Sequence, residues 1–115
     1  NIDAMAISVG NTHLQTSKKA SIDFNKINLI EAKTKIPLVL HGSSGIPVEQ
    51  RKKLARKTKV AKLNIGTEIR MTFGEALRKN LKNNPKTYDR LQLLKPTIKD
   101  LTKVTKKIIK QIGPN

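Results

Sequence analysis

The sequence contains no cysteine, and its only aromatic side chains are Phe24, Phe73 and Tyr88. Without cysteine, disulfide bonds, thiolate metal ligands and cysteine nucleophiles are excluded. Three aromatic rings supply a poor stacking platform for single-stranded nucleic acid. No apolar run approaches the roughly 20 residues of a membrane-spanning helix, and the opening residues lack the pattern of a signal peptide. We therefore expect a cytoplasmic protein and, since the sequence does not open on Met, a chain that begins inside a longer one.

Acidic residues are also scarce. The 115 residues include 8 Asp and Glu against 24 Lys and Arg, which gives a formal net charge of +16. Such an excess attracts anions, including nucleic acid, anionic membranes and phosphorylated metabolites. The basic residues are spread from Lys18 to Lys110, a distribution that is equally typical of solvated helix faces. The charge alone therefore does not identify a partner.

Three short apolar runs alternate with stretches of helical spacing, in a chain long enough for one small domain. The runs lie near residues 4–10, 36–41 and 60–65, and the helical stretches near 24–33, 47–57, 67–84 and 96–112. Asp23 is the predicted N-cap of the first helix, and residues such as Ile98 and Thr105 are predicted to face inward on the last. This order predicts an α/β fold with parallel strands. Three such strands would form the last part of a (β/α)8 barrel of about 250 residues.

Polar residues follow each predicted strand, in the stretches Gly10-Asn-Thr-His13, His41-Gly-Ser-Ser-Gly45 and Asn64-Ile-Gly-Thr67. Ligands of parallel α/β sheets bind at this edge. Both histidines of the chain lie there, and neutral imidazole is a common zinc ligand. Two histidines far apart in sequence are also typical of ordinary polar loop residues, so both interpretations stay open.

The Gly42-Ser43-Ser44-Gly45 turn is a second sign of a ligand site. Small residues let backbone N–H groups point inward, and serine hydroxyls can donate to phosphate oxygens. Asn64 and Thr67 could complete such a site, with the N-terminus of the following helix favouring the anion. A Gly-Ser segment is otherwise only a turn, and its place between two other polar strand ends is what favours a phosphate site.

Around these strand ends the chain resembles the last three barrel strands of class II fructose- and tagatose-bisphosphate aldolases. The stretches are Gly10-Asn-Thr-His13, Ile36-Pro-Leu-Val-Leu-His-Gly-Ser-Ser-Gly-Ile-Pro47 and Val60-Ala-Lys-Leu-Asn-Ile-Gly-Thr-Glu-Ile-Arg70. Ser21-Ile-Asp-Phe24 is similar to the family's segment before the sixth helix, and the Pro96–Gly113 segment is similar to its tail. The resemblance implies that residues 1–115 are the C-terminal portion of a TIM barrel, with strands 6–8 and the helices that follow.

The resemblance also implies roles for single residues. His13 and His41 match zinc ligands, and zinc in the family polarises the ketone carbonyl and stabilises the enediolate. The residues that match contacts to the dihydroxyacetone phosphate end of the substrate are Gly42, Ser43, Ser44, Asn64, Ile65, Gly66 and Thr67. Arg90 matches an arginine that would reach the substrate of a neighbouring subunit.

Four positions depart from the family's pattern. Leu14 replaces a glycine beside a monovalent cation and the phosphate, which argues against the cation and against part of the phosphate pocket. Gly66 stands where fructose-specific members often carry Asp, so fructose and tagatose bisphosphate both stay open. Lys59 replaces a usual glycine between a helix and a strand, and the stretch Tyr88-Asp89-Arg90 lacks the family's proline.

The family's catalytic Asp, another zinc-binding His and a zinc-binding Glu lie upstream of the matched region. We therefore expect no catalytic residue in this chain, and no activity without the upstream half of the barrel. The implied partners are that half, a phosphorylated sugar and further copies of the chain in a homo-oligomer. Two alternatives remain: a non-catalytic remnant or anion-binding module, and a nucleic-acid binder, although the sequence shows no motif that reads nucleic acid.

Overall fold

The computed structural model describes residues 2–113, which form a three-stranded parallel sheet flanked by helices. The strands are β1 (Met5–Ile7), β2 (Leu38–Leu40) and β3 (Val60–Leu63), in the order β1-β2-β3. The helices are α1 (Phe24–Lys33), α2 (Val48–Lys57), α3 (Thr67–Asn83), α4 (Arg90–Leu94) and α5 (Thr97–Ile112), with a short 3-10 turn at Ser43–Gly45. The predicted α/β fold with parallel strands is confirmed.

The strands are shorter than predicted because their last residues already belong to polar loops. The Val9 amide, for example, donates to the Asn11 side chain at 2.8 Å instead of to a neighbouring strand. The first helix begins where predicted, since the Asp23 carboxylate accepts the Lys26 amide at 2.9 Å and so satisfies a free N–H of the first turn.

One apolar core lies around the central strand, and all three residues of β2 are buried. The core residues are Val9, Ala20, Ile22, Ile27, Leu38, Leu40, Ile46, Leu54 and Val60. The outer strands are only partly covered: Ala61 and Lys62 on β3 are exposed, as is Ala6 on β1. Parallel strands are usually buried on both faces, so these edges are where further sheet would belong.

The long C-terminal helix α5 packs against α2 and α3. Its buried side chains beyond the first residue are Ile108 and Gln111, in the last turns. The prediction that Ile98 and Thr105 face inward is wrong: Ile98 is 60% exposed and Thr105 is exposed. Both lie beside the inward face of α5, which is formed at helical spacing by Thr97, Leu101, Val104, Ile108 and Gln111.

Lys59, at the usual glycine position before β3, forms hydrogen bonds with Glu31 of α1. Its amide and its Nζ donate to the Glu31 side chain and carbonyl, at 2.5 and 3.1 Å. Within residues 2–113, no helix has the length and apolar character needed to cross a membrane.

Candidate functional site

The loops that follow β1 and β2 bring the two histidines together. The ring centroids of His13 and His41 lie 5.8 Å apart, with the ring planes inclined at 48°. Two imidazoles that bind one tetrahedral ion at about 2.0–2.1 Å place their ring centres about 5–6 Å apart. The spacing therefore fits a shared zinc ion. Residues 2–113 contain no group of three or more His, Cys, Asp or Glu side chains placed to hold a metal, so the two imidazoles are an incomplete shell.

A glycine allows the two histidine loops to touch. Gly42 has a φ of +62°, in the left-handed region, and a Cβ added there would lie 2.5 Å from the Thr12 carbonyl oxygen and 3.0 Å from the His13 amide nitrogen. Both neighbours are backbone atoms, which cannot turn aside as a flexible side chain would. The approach of His13 to His41 therefore depends on the absence of a side chain at position 42.

Asn11 ties the same two loops together with hydrogen bonds. Its Nδ2 donates to the His41 carbonyl at 3.0 Å, while its Oδ1 accepts the Val9 amide at 2.8 Å. Sequence reasoning placed Asn11 in a polar strand-end stretch but gave it no role. Its position in the stretch Gly10-Asn-Thr-His13 was the available signal.

Leu14 occupies a conformation that favours glycine. Its φ is +58°, and its side chain is 74% exposed. A left-handed conformation costs a non-glycine residue about 1–2 kcal/mol. The leucine has nevertheless not displaced the neighbouring His13, whose ring remains close to that of His41.

The three strand-end loops enclose a cleft of about 420 Å³ beside the histidines. His13, Leu14, Gly42, Ser44, Leu63, residues 64–67 and Arg70 line it. The structure thus brings together the zinc-ligand positions and most of the phosphate positions predicted from the sequence. Arg90 does not line the cleft: it is exposed at the start of α4.

The two serines of the turn have different surroundings. The Ser43 hydroxyl is buried and donates to the Leu40 carbonyl at 3.1 Å, so it cannot serve a ligand in the cleft. The Ser44 hydroxyl accepts the Glu68 amide at 3.2 Å and keeps its own proton for another acceptor. Of the two side chains, only Ser44 is placed to bind an anion.

Asn64, at the end of β3, contacts the His41 ring. Its Nδ2 lies 3.2 Å from Nδ1 and 3.5 Å from Nε2 of that ring. The amide nitrogen is a donor, so a ring nitrogen that accepts from it cannot also bind a metal. A metal-bound His41 would instead donate its remaining ring N–H to Asn64 Oδ1, which requires the side-chain amide to be turned over. Asn64 also lines the cleft, so the phosphate contact suggested by the sequence stays a prediction.

Arg70 is a cleft residue that sequence reasoning missed. Its Nη2 donates to the Thr67 hydroxyl at 3.4 Å, and its guanidinium folds back over Gly66, where a Cβ would lie 3.3 Å from Nη1. The signal was its spacing, since residues 66 and 70 are one helical turn apart. A guanidinium at this place is suited to an anionic group.

Glu68, one residue beyond the predicted site, lies between two cations. Its Oε2 accepts from Arg51 Nη2 at 2.5 Å and from Lys18 Nζ at 2.9 Å. Partial burial alone would raise the pKa of Glu68, but the hydrogen bonds and positive charges of Arg51 and Lys18 outweigh it and lower the pKa below its ordinary value of 4.5. Glu68 is therefore an ionised structural partner rather than a free proton acceptor.

Comparison with known proteins agrees with this arrangement. Residues 1–115 match the family described as fructose-bisphosphate aldolase class-II. The chain belongs to that family. A curated relative, the 6-phospho-5-dehydro-2-deoxy-D-gluconate aldolase of Shouchella clausii (strain KSM-K16), is 35% identical over 113 residues, which are 98% of this chain and 38% of the relative.

Two crystal structures share the fold of this class II aldolase chain. The YdjI aldolase from Escherichia coli K12 superimposes with a TM-score of 0.72 at 27% identity, over 96% of this chain and 39% of that one. A Coccidioides immitis protein superimposes with a TM-score of 0.74 over 96% of this chain and 38% of that one, but at 20% identity this likeness concerns the fold alone. The chain thus spans about two fifths of the length of the relatives that it matches.

Proposed function

We propose that the chain is the C-terminal part, strands 6–8 and the helices that follow, of a zinc-dependent aldolase with a (β/α)8 barrel. The observation that carries this proposal is the pair His13 and His41, with ring centroids 5.8 Å apart, beside a polar cleft at the carboxyl ends of parallel strands. Active sites of such barrels lie at that end. The exposed outer strands support a partner sheet, which the upstream barrel half would provide, and a cytoplasmic homo-oligomer is the state that we expect.

The proposed substrate is a phosphorylated ketose that is cleaved or formed by an aldol reaction. Fructose and tagatose bisphosphate both carry a ketone beside a phosphorylated carbon. The compound in the relative's name also has, by its numbering, a carbonyl at C5 beside the phosphate at C6. The shared recognition element is therefore the ketone with its neighbouring phosphate, which corresponds to dihydroxyacetone phosphate as the released half.

Each part of the cleft has a proposed task. His13 and His41 would hold zinc, which when bound supplies Lewis-acid polarisation of the ketone. Ser44 and the backbone of Gly42 would bind the phosphate together with Thr67 and Arg70, which line the same cleft. Asn64, whose side chain contacts the His41 ring, would orient that ring by accepting its free N–H with Oδ1.

Proton transfer is the task that the described residues leave unfilled. Glu68 is held by two cations, and none of the described residues that line the cleft carries a carboxylate. We therefore expect the chain alone, with zinc added, not to cleave fructose or tagatose bisphosphate at a useful rate, because loss of a proton-transfer residue commonly costs a factor of about 100 or more. A coupled assay of triose phosphate release decides this, and zinc-dependent turnover at ordinary enzymatic rates would contradict it.

A second candidate function, an anion-binding module without catalysis, is favoured by a different surface. Lysines of α2 and α5 line a groove away from the cleft, namely Lys52, Lys103, Lys106, Lys107 and Lys110. Together with the net charge of +16, they could attract polyanions without any reaction. This surface lacks the histidines, so the two functions predict different binding positions.

The two functions are separated by mapping where dihydroxyacetone phosphate binds. In amide NMR spectra of the labelled chain, the aldolase proposal predicts shifts at residues 42–45 and 64–67. It also predicts that Arg70→Met weakens binding, whereas Lys106→Met, which removes the same charge from α5, does not. Shifts confined to α2 and α5, with equal affinity in both variants, would favour the anion-binding module and contradict the aldolase site.

A further inference from the structure

Arg51 is the largest fully buried side chain among the described residues, and it lies directly behind the serine turn. We propose that Arg51 is a positioning residue that sets the phosphate-binding conformation of this turn. The proposal rests on the proposed function, because it concerns the same phosphate site. It assigns a task to a residue that does not line the cleft.

The Arg51 side chain bonds two consecutive carbonyls of the turn. Nε donates to the Ser43 carbonyl at 3.1 Å, and Nη2 donates to the Ser44 carbonyl at 2.8 Å. The guanidinium is planar and its donors are fixed relative to one another. Two adjacent peptide groups are therefore held in one orientation by one rigid group.

This orientation determines where the amides of the turn point. In a trans peptide the C=O and the following N–H point in opposite directions, and no peptide bond in the described chain is cis. Because the carbonyls of Ser43 and Ser44 face Arg51, the amides of Ser44 and Gly45 face away from it. Ser44 lines the cleft, so turning these carbonyls toward Arg51 presents amide hydrogen to an anion on the other side.

The remaining donors of Arg51 anchor it to two other elements. Nη2 also bonds Glu68 at the start of α3, and Nη1 donates to Gln111 Oε1 on α5 at 3.2 Å. Glu68 compensates the charge, since an unpaired buried guanidinium would be strongly destabilising. The turn is therefore fixed relative to both the end of β3 and the C-terminal helix, and α5 becomes part of the support of the site.

A lysine could not replace this geometry. Its single ammonium is a point charge without the planar fork that reaches Ser43 and Ser44 together. If Arg51 contributed only positive charge, Arg51→Lys would preserve phosphate binding. If it positions the turn, the lysine variant should resemble Arg51→Met.

The experiment uses the labelled chain, with inorganic phosphate and dihydroxyacetone phosphate as probes. Without ligand, Arg51→Lys and Arg51→Met should shift the amide signals of Ser44 and Gly45 and speed their hydrogen exchange. With ligand, both should weaken binding by about tenfold or more. Arg56→Met removes the same charge from an exposed position of α2 and should stay within about twofold of the original chain.

Further variants cover the case in which Arg51 substitutions unfold the chain. Gln111→Leu and Glu68→Gln leave Arg51 in place but remove one of its anchors, and each should shift the same two amides and weaken phosphate binding by about two- to fivefold. The proposal would be overturned if the Arg51 variants fold but leave the turn amides and the phosphate affinity unchanged. If the Arg51 variants unfold, the same result in Gln111→Leu and Glu68→Gln would overturn it. If the original chain binds neither probe at the turn, the proposed phosphate site fails, while the ligand-free amide shifts still test the role of Arg51.

Discussion

Substitution of Gly42 by alanine tests how closely the two histidine loops must approach. The new Cβ would meet the Thr12 carbonyl oxygen at 2.5 Å and the His13 amide nitrogen at 3.0 Å. The left-handed φ of +62° costs about 1–2 kcal/mol for alanine, and overpacking against backbone adds about 1–3 kcal/mol. We expect Gly42→Ala to lower the free energy of unfolding by about 2–5 kcal/mol in total.

The same substitution should also impair zinc binding. Relief of the overlap requires the loop with His13 to move by several tenths of an ångström, and zinc–nitrogen bonds hold within a narrow range near 2.0–2.1 Å. We expect the zinc affinity to fall by a factor of about 10–100, as when residues that orient metal ligands are mutated. Urea denaturation measures the stability, and zinc titration by calorimetry measures the affinity.

Gly74→Ala is the matched control. Gly74 lies inside α3, and a Cβ there would meet only the end of the Arg78 side chain, at 3.3 Å. Alanine is preferred to glycine in a helix interior by about 0.5–1 kcal/mol, so this variant should be slightly more stable and bind zinc normally. If Gly42→Ala matched the control in both stability and affinity, the contact between the two loops would not depend on a glycine at position 42.

Two further predictions concern Leu14 and Glu68. Leu14→Gly should raise the free energy of unfolding by about 0.5–1 kcal/mol, since glycine relieves the left-handed strain but loses more chain entropy; a lower urea midpoint would contradict this. Because the pKa of Glu68 is lowered in the folded chain, its stabilising effect is present above about pH 4.5 and is lost as pH falls through the lower folded value. In urea denaturation at several pH values, Glu68→Gln should reduce the fall in the free energy of unfolding at acid pH. Glu49→Gln, which changes an 82% exposed carboxylate, should not. An equal fall in Glu68→Gln and in the original chain would contradict a stabilising role of the Glu68 ion pairs.

The sequence predicted the parallel α/β fold and the sheet edge at which the candidate residues meet, because both follow from local rules. Short apolar runs between helical stretches require parallel strands, and polar residues after such strands must meet at one edge. His13 and His41 therefore converge although 27 residues separate them in the printed sequence. A glycine is needed at position 42, since only a residue without Cβ permits the close contact with the backbone of Thr12 and His13.

The details that the sequence did not predict depend on packing between distant elements. Arg51 stands in the run Arg51-Lys52-Lys53, which is typical of a solvated helix face, and only its helical spacing from Leu54 hinted at burial. Ser43 and Ser44 look equivalent in sequence, but the 3-10 turn directs one hydroxyl into the core and leaves the other beside the cleft. Ile98 looks like a core residue, yet the inward face of α5 passes through its neighbour Thr97 and leaves Ile98 exposed.

Whether His13 and His41 share one zinc ion is decided by following both imidazoles during a zinc titration. The chain has only these two histidines and no cysteine, so nitrogen NMR of the two rings reports the site without interference. If the ion is shared, both rings shift together, the shifts saturate at one zinc per chain, and His41→Ala abolishes the response of His13. Independent titration of the two rings, or a response from only one, would contradict the shared site.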